Sequence, residues 1–460
     1  MSSESQSPIG SPDPMQPRAG ETGIVWTIWL TYGAFYFCRT NLSVAVDGMG
    51  QSVSAGGLGL TSDQIGWILA SLKLAYGCGQ LLNGQLSEII RPRRLLAVGM
   101  LGSAALNVLF GFSTGFYFLL FVWACNGYCQ SLGWTPCVRV IGNWIPILRR
   151  GKAIGIIGTG YQVTLGVTYF VAGQSAELLG WRAALYVPAA LLALTALFML
   201  VALKESPDDP DAESKRAVSA VKPGDGLRHM IENLRLTLSN PKLWLLGISL
   251  GLLNACRYGF LDWGIKHLVD VQGIGVGKAG LKFVVLAAGA AAGSYVAGWA
   301  TDRFFGNRRA PVICLLLLGL SALTIVYESV ARMDAGDLWL VVLLFVIGFC
   351  IYGPQVLLVG TAPADLAKRG TSAAAAGFVN FLGYMGAATG DVVTGVVSPD
   401  QVDGGPPLPP EAWSTAIYIW AGWALVAAAC SAVLWNAIGH DEGESTSTRA
   451  DGFKKNQVRT

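Results

Sequence analysis

Charge is scarce in this chain. Its 32 Lys+Arg and 29 Asp+Glu make up 13% of 460 residues, against roughly 25% in ordinary soluble chains. A deficit of that size over this length excludes a soluble globular enzyme, a disordered protein and a coiled coil. The net charge of +3 is too small a surplus for nucleic-acid binding. The basic n-region and short apolar stretch of a secretory signal are also missing. The first residues are rich in Ser, Pro and Gly instead, so 1–22 and 437–460 read as disordered tails. No nucleophile–base pair stands out, which argues against catalysis. The nine cysteines all fall in or beside apolar runs, as buried thiols do, and not in a disulfide framework. Cys125 and Cys129 share a helix face but have no His nearby, so neither a metal nor another cofactor is expected.

What remains is apolar, and it comes in long runs. A spanning helix needs about 20 predominantly apolar residues. Twelve windows meet that length, at 23–47, 62–86, 94–113, 115–140, 152–174, 181–203, 242–266, 279–300, 310–329, 338–361, 371–397 and 412–436. They do not alternate polar with apolar, which disfavours an outer-membrane barrel. Between the sixth and seventh lies one long polar stretch, with Pro207, Pro210 and Pro223 and charges of both signs. The predicted organisation is a bundle at 23–203, a linker at 204–241 with a short surface helix near 225–238, and a second bundle at 242–436.

Lys and Arg collect in alternate loops: Arg91, Arg93 and Arg94; Arg149, Arg150 and Lys152; the linker; Arg303, Arg308 and Arg309; Lys368 and Arg369. The loops at 48–61 and 398–411 hold neither. The basic loops, the linker and both termini are therefore expected on the cytoplasmic side. The halves also match each other. Glu88 pairs with Asp302, Arg39 with Arg257, Arg150-Gly151 with Arg369-Gly370, and Gly127 with Gly348, at offsets of 214–221 residues. Trp181 and Trp413 correspond likewise, at the starts of the sixth and twelfth windows. Parallel six-helix repeats put a substrate site between the halves near the midplane.

A charge at mid-membrane is costly, about 2.5–3.5 kcal/mol for Arg or Lys on insertion scales, and so marks a candidate site. Arg39 shares one face of the first helix with Tyr32 and Tyr36, at spacings of i, i+4 and i+7. Arg257 lies at the matching depth of the seventh. Planar guanidinium forks suit bidentate binding of phosphate or carboxylate. The bland alternative is a structural pair with a buried carboxylate. Asp47 lies two turns beyond Arg39, and Asp262, five residues from Arg257, points away from it. Lys73, Tyr76 and Gln80 share a face of the second helix; Tyr384, Ala388 and Asp391 share one of the eleventh, with Asp391 open to three readings, a coupling carboxylate, a partner for Lys73 or an interfacial group. Tyr161 and Tyr352 are positioned either to meet substrate oxygens or to pack between helices. Arg139 is expected to join Glu88 and Arg91 in a cytoplasmic gating loop, with Asp302 and Arg303 as its counterpart. The runs Gly155, Gly158, Gly160, Gly166 and Gly289, Gly293, Gly298 neither follow a strand nor continue as Gly-Lys-Ser/Thr, and read as helix-packing positions, not phosphate loops.

Five segments carry a family resemblance: Tyr36-Phe-Cys-Arg39-Thr-Asn41-Leu-Ser, Asn126-Gly-Tyr-Cys-Gln-Ser-Leu-Gly-Trp134-Thr-Pro136-Cys137, Arg257-Tyr-Gly-Phe-Leu-Asp262-Trp263, Gly348-Phe-Cys-Ile-Tyr352-Gly-Pro354 and Gly377-x-x-Asn-Phe-Leu-Gly383-Tyr384. With them the chain resembles the organophosphate:phosphate antiporters of the major facilitator superfamily, over essentially 23–436. The resemblance implies an all-α membrane protein with twelve transmembrane helices in two pseudo-symmetric six-helix bundles. It further implies that Arg39 and Arg257 grip a phosphate and that Tyr32, Tyr36, Tyr76, Tyr352 and Tyr384 line the path. Thr40, Gln80 and Tyr161 depart from the Lys, Lys and His found in relatives, and Asp391 and Val392 stand near a position that is Lys in the sugar-phosphate branch.

The expected function is exchange of an organic phosphate (sugar phosphate, glycerol phosphate or a phosphoglycerate-like molecule) for inorganic phosphate by alternating access. Two buried cations repel until an anion bridges them, so closure is favoured only when loaded, with no ion-coupled step required. The partners are these small anions and the lipid bilayer; a monomer in a cell membrane or an organelle membrane is expected. The rivals are a proton-coupled organic-anion symporter, against which the acid-free window 115–140 and Cys38 count, and a membrane sensor of sugar phosphates. Lys73 has two readings: a ligand for a second anionic group, about 10 Å along the helix from Gln80, or an ion pair with Asp391 that latches the halves.

Overall fold

The structure, a computed structural model, describes residues 20–207, 233, 235–306, 308–332, 337–367, 372–400 and 408–436. The expected tails lie almost wholly outside the described residues, and so does most of the 204–241 linker with its surface helix, apart from a helical turn at 235–238.

Among the described residues the chain forms twelve long helical units. In the first half these are α1 (Glu21–Ala34, continued through a 3-10 turn Phe35–Cys38 into Leu42–Gly50), α2 (Ser62–Ile89), α3 (Pro92–Phe112), α4 (Phe116–Ser131, resuming as Trp134–Trp144), α5 (Ile147–Leu179) and α6 (Ala183–Ala202). In the second they are α7 (Pro241–Tyr258, a π turn Gly259–Trp263, then Gly264–Gln272), α8 (Val276–Phe304), α9 (Arg309–Arg332), α10 (Asp337–Val356, a π turn Leu357–Thr361, then Ala362–Leu366), α11 (Ser372–Val397) and α12 (Ser414–Val433). Eight are long and apolar enough to cross a membrane on their own. Of the other four, α1 and α4 are interrupted, while α2 and α11 are diluted by polar residues, Lys73 and Asp391 among them.

The ends follow local chemistry. A capping box starts α2, the Thr61 side chain accepting from Gln64 N–H while Gln64 reaches back to Thr61 N–H. Pro92 and Pro241 open α3 and α7, where a missing N–H costs nothing. Large apolar side chains such as Trp26, Phe112, Tyr117, Leu178, Tyr295 and Trp339 face outward. A soluble protein would hide such surface; here it is what lipid contacts.

Packing repeats between the halves. In the first, α1 contacts α5 and α6, α2 contacts α4, and α3 contacts α4 and α6. The second half repeats each pair six helices later: α7 with α11 and α12, α8 with α10, α9 with α10 and α12. Gly127 of α4 lies so close to the backbone of Leu72 on α2 that a Cβ would collide with it, and Gly348 of α10 meets Leu286 of α8 in the same way. Each glycine therefore sets how near two helices approach. Gly160, Gly289 and Gly293 also sit against neighbouring backbone and Gly166 against Ala287, whereas Gly155, Gly158 and Gly298 face open space. The halves meet along α2–α11 and α5–α8. Several hydrogen bonds between them lie at the end opposite the termini: Ser62 N–H donates to Asp400 Oδ1 (2.7 Å), Ser62 Oγ to Pro399 O (2.7 Å), and Gly277 N–H to Glu177 Oε2 (3.0 Å).

Candidate functional site

Arg39 stands where α1 breaks. The 3-10 turn Phe35–Cys38 frees the Cys38 carbonyl, and Asn126 Nδ2 from α4 donates to it at 2.9 Å. Asn41, just past the break, donates to Asn107 Oδ1 (2.9 Å) and Ala184 O (3.0 Å). Ser103 donates to Asn126 Oδ1 (2.6 Å) and accepts from Gln130 Nε2 (2.7 Å), and Gln130 Oε1 accepts from Arg39 Nε at 3.1 Å. A buried polar network thus fixes the guanidinium from behind. In front, Arg39 Cζ lies 4.7 Å from the Tyr36 ring centre and 4.4 Å from that of Tyr76. Cation–π contacts are worth about 2 kcal/mol when desolvated.

Arg257 ends the first segment of α7, before the π turn. Its Nη2 donates to the Tyr352 hydroxyl at 3.0 Å, and its Cζ lies 4.7 Å from the Tyr352 ring and 4.8 Å from Tyr258. The π turn itself is held from the other half, by the Tyr169 hydroxyl of α5 donating to Leu261 O at 2.9 Å.

Aromatic rings join the two arginines. Tyr36 stacks on Tyr161 at 5.1 Å, and Tyr161 lies 6.4 Å from Tyr352 across the interface. Tyr76 meets Tyr384 of the other half at 4.5 Å. Tyr32 contacts Tyr36 and Tyr161 and lies 4.8 Å from Trp134. Both guanidiniums are buried, and each keeps an N–H without a partner: Nη2 of Arg39 and Nε of Arg257. Among the described residues no carboxylate pairs with either. An unsatisfied buried donor costs about 1–3 kcal/mol, more when charged. Charge-assisted hydrogen bonds to an oxyanion are one way such a cost is relieved.

Lys73 is differently engaged. Its ammonium donates to Asp262 of the π turn, sits 2.6 Å from Asp391 Oδ2 of α11, and lies 4.7 Å above the Tyr258 ring. All three charged side chains are buried. This is the latch arrangement, with Asp262 as a second acceptor; the ligand reading requires an uncommitted ammonium. Gln80 Nε2 is turned to Ser131 O at 3.5 Å, away from the arginines.

Among the described residues the expected gating loops make these contacts. Arg139 donates to the carbonyls of Ser87 and Ile90 (3.2 Å for the latter), closing the α2–α3 turn, and Arg91 stands just before α3. The Glu88 side chain lies outside the described residues. Asp302 pairs with Arg309 at 2.9 Å, and Arg303 is exposed. Sequence reasoning gave no role to Gln130, Trp134 or Tyr258. It also judged Asp262 only against Arg257, whereas its i, i+4 relation to Tyr258 puts both on the face that meets Lys73.

The Major Facilitator Superfamily model matches residues 28–391 and 267–457. The chain belongs to the major facilitator superfamily. It is therefore a multi-pass membrane protein of a transporter superfamily, not an enzyme. It is 27% identical over 381 residues to the membrane sensor protein UhpC of Escherichia coli (strain K12), covering 79% of this chain and 83% of that one. It is 28% identical over 386 residues to the glycerol-3-phosphate transporter of Bacillus subtilis (strain 168), covering 78% and 82%. Hexose phosphate and phosphoglycerate transporters are further relatives. A bacterial homologue of the human lysosomal transporter Spinster shares the fold, with a TM-score of 0.69 at 17% identity, covering 92% of this chain and 97% of that one.

Proposed function

We propose that this transporter exchanges an organic phosphate for inorganic phosphate by alternating access, with Arg39 and Arg257 as the ligands of the phosphoryl group. One observation carries the reading. Two buried guanidiniums, one from each half, have N–H groups to spare and no carboxylate among the described residues. Without an anion they repel across a dry interface; with one they are drawn together. Loaded carriers then close and rock, and empty ones do not. Tyr32, Tyr36, Tyr76, Tyr161, Tyr352 and Tyr384 line the path, and Trp134 adds an apolar ring for the organic part. Lys73 acts as a latch between the halves, not as a ligand.

The similarity to transporters of glycerol-3-phosphate, hexose phosphate and phosphoglycerate supports the substrate class. The Lys/Arg pattern supports cytoplasmic termini, which labelling of Ser54→Cys by an impermeant reagent in a Cys-free background tests: protection in right-side-out cells sinks that orientation. Similarity to a membrane sensor favours a second reading, in which the same site binds a sugar phosphate and signals without bulk flux.

Counterflow separates the two. Proteoliposomes preloaded with phosphate are expected to take up labelled glycerol, hexose or three-carbon acid phosphates transiently above equilibrium. Uptake no greater than in protein-free liposomes for all of them counts against the transporter.

A further inference from the structure

Lys73, Asp262 and Asp391 form a second charged cluster at the interface, next to the arginine site across the Tyr258 ring that Lys73 and Arg257 both meet. It holds one ammonium against two carboxylates, each side chain 4% exposed or less. With all three ionised the cluster carries a net charge of −1. A buried excess charge is expensive, and two carboxylates sharing one site do not both stay ionised. Asp391 is fully buried, and the cation that meets it among the described residues is Lys73, 2.6 Å from Oδ2, which Asp262 also claims.

Among the described residues no second cation pairs with either carboxylate. On α7, Tyr258 offers Lys73 a ring face and Arg257 is turned to Tyr352. On α2 and α11, Tyr76 and Tyr384 face Arg39 and each other. From α5, Tyr169 is committed to the Leu261 carbonyl. The outer segment of α1 brings Asp47, which accepts from Gln51 Nε2 at 3.2 Å, and α12 brings the Trp420 indole, which donates to Thr394 Oγ1 at 2.9 Å.

We propose that the Asp262–Asp391 pair, bridged by Lys73, is a proton-carrying site. One proton is held by the two carboxylates while the halves are closed there, and it is released to water when they part. Lys73 belongs to the first half and both acids to the second, so parting removes the cation and admits water, in which both carboxylates ionise. Closing takes the proton back from water. The cycle driven by the arginines thereby becomes linked to a proton that the arginines alone do not require. The inference stands whichever anion Arg39 and Arg257 bind.

Infrared spectroscopy of the full-length protein in lipid nanodiscs near neutral pH tests it without transport or substrate. The wild type is expected to show the C=O stretch of a protonated carboxylic acid that disappears in Asp391→Asn. The same band should disappear in Asp262→Asn, because either remaining carboxylate ionises against Lys73. Lys73→Met should gain a second acid of equal intensity, since neither carboxylate then has a cation. Monodisperse elution selects folded variants. A folded Asp391→Asn or Asp262→Asn with an acid band identical to that of the wild type overturns the proposal, as does a folded Lys73→Met with no added band.

Discussion

Arg39 and Arg257 are held by oxygen atoms and rings that are formally neutral: Gln130, Tyr36 and Tyr76 for one, Tyr352 and Tyr258 for the other. Such supports fix direction without neutralising charge, which leaves the charge for a ligand. A lysine at either position keeps the charge but loses the planar fork and its cation–π stacking. Truncating one partner of a buried charge-assisted contact costs about 2–5 kcal/mol, or roughly 30- to 4,000-fold in affinity. Arg39→Lys and Arg257→Lys are accordingly expected to lose phosphate exchange in proteoliposomes while still reaching the membrane. A variant that exchanges with near wild-type affinity would mark its arginine as structural. At this scale the sequence was legible where a charge had no cheap explanation, as for the two arginines. It was not legible where the partner came from another helix. Gln130 lies 91 residues from Arg39, and Asp262 lies 189 from Lys73.

The helices themselves were readable because lipid demands about twenty apolar residues in a row. Their interruptions were not. The 3-10 turn in α1 and the π turn in α7 free backbone carbonyls that distant side chains satisfy, Asn126 at Cys38 and Tyr169 at Leu261. No local pattern announces such support. The glycine pair is a different case, since Gly127 and Gly348 were matched by sequence and turn out to make the same close approach between corresponding helices. Filling a tight contact costs about 1–3 kcal/mol. Gly127→Val and Gly348→Val are expected to lower the thermal unfolding midpoint of the purified protein in detergent by several degrees more than Gly155→Val. The last carries the same propensity cost in a helix but meets open space. Equal shifts in all three would show that helix propensity, not the α2–α4 and α8–α10 contacts, sets the effect.

Across the whole molecule, two charged groupings stand among the contacts between the halves, and on the proposed reading they act in opposite senses. In the proposed cycle the arginines hold the empty carrier apart, and Lys73 with Asp262 and Asp391 holds it together. On the proposed reading Lys73→Met removes the cation that links the halves here, so both carboxylates must be protonated each time the halves close. Lys73→Met should therefore impair exchange of inorganic phosphate and every organic phosphate alike, and Asp391→Asn added to it should restore part of the rate by removing one carboxylate that must take up a proton on closing. Selective loss of carboxylated substrates would return Lys73 to the role of ligand. The two-bundle plan was legible in the repeated sequence, but which faces of the bundles meet was not, since that depends on the opposing polar residues of α2 and α11. The central claim is that closure requires an anion between the arginines, and trans-stimulated efflux tests it most directly. Proteoliposomes loaded with labelled phosphate and diluted into anion-poor buffer should retain it, then release it rapidly when phosphate or an organic phosphate is added outside. Efflux at the same rate with and without an external phosphate would contradict the account.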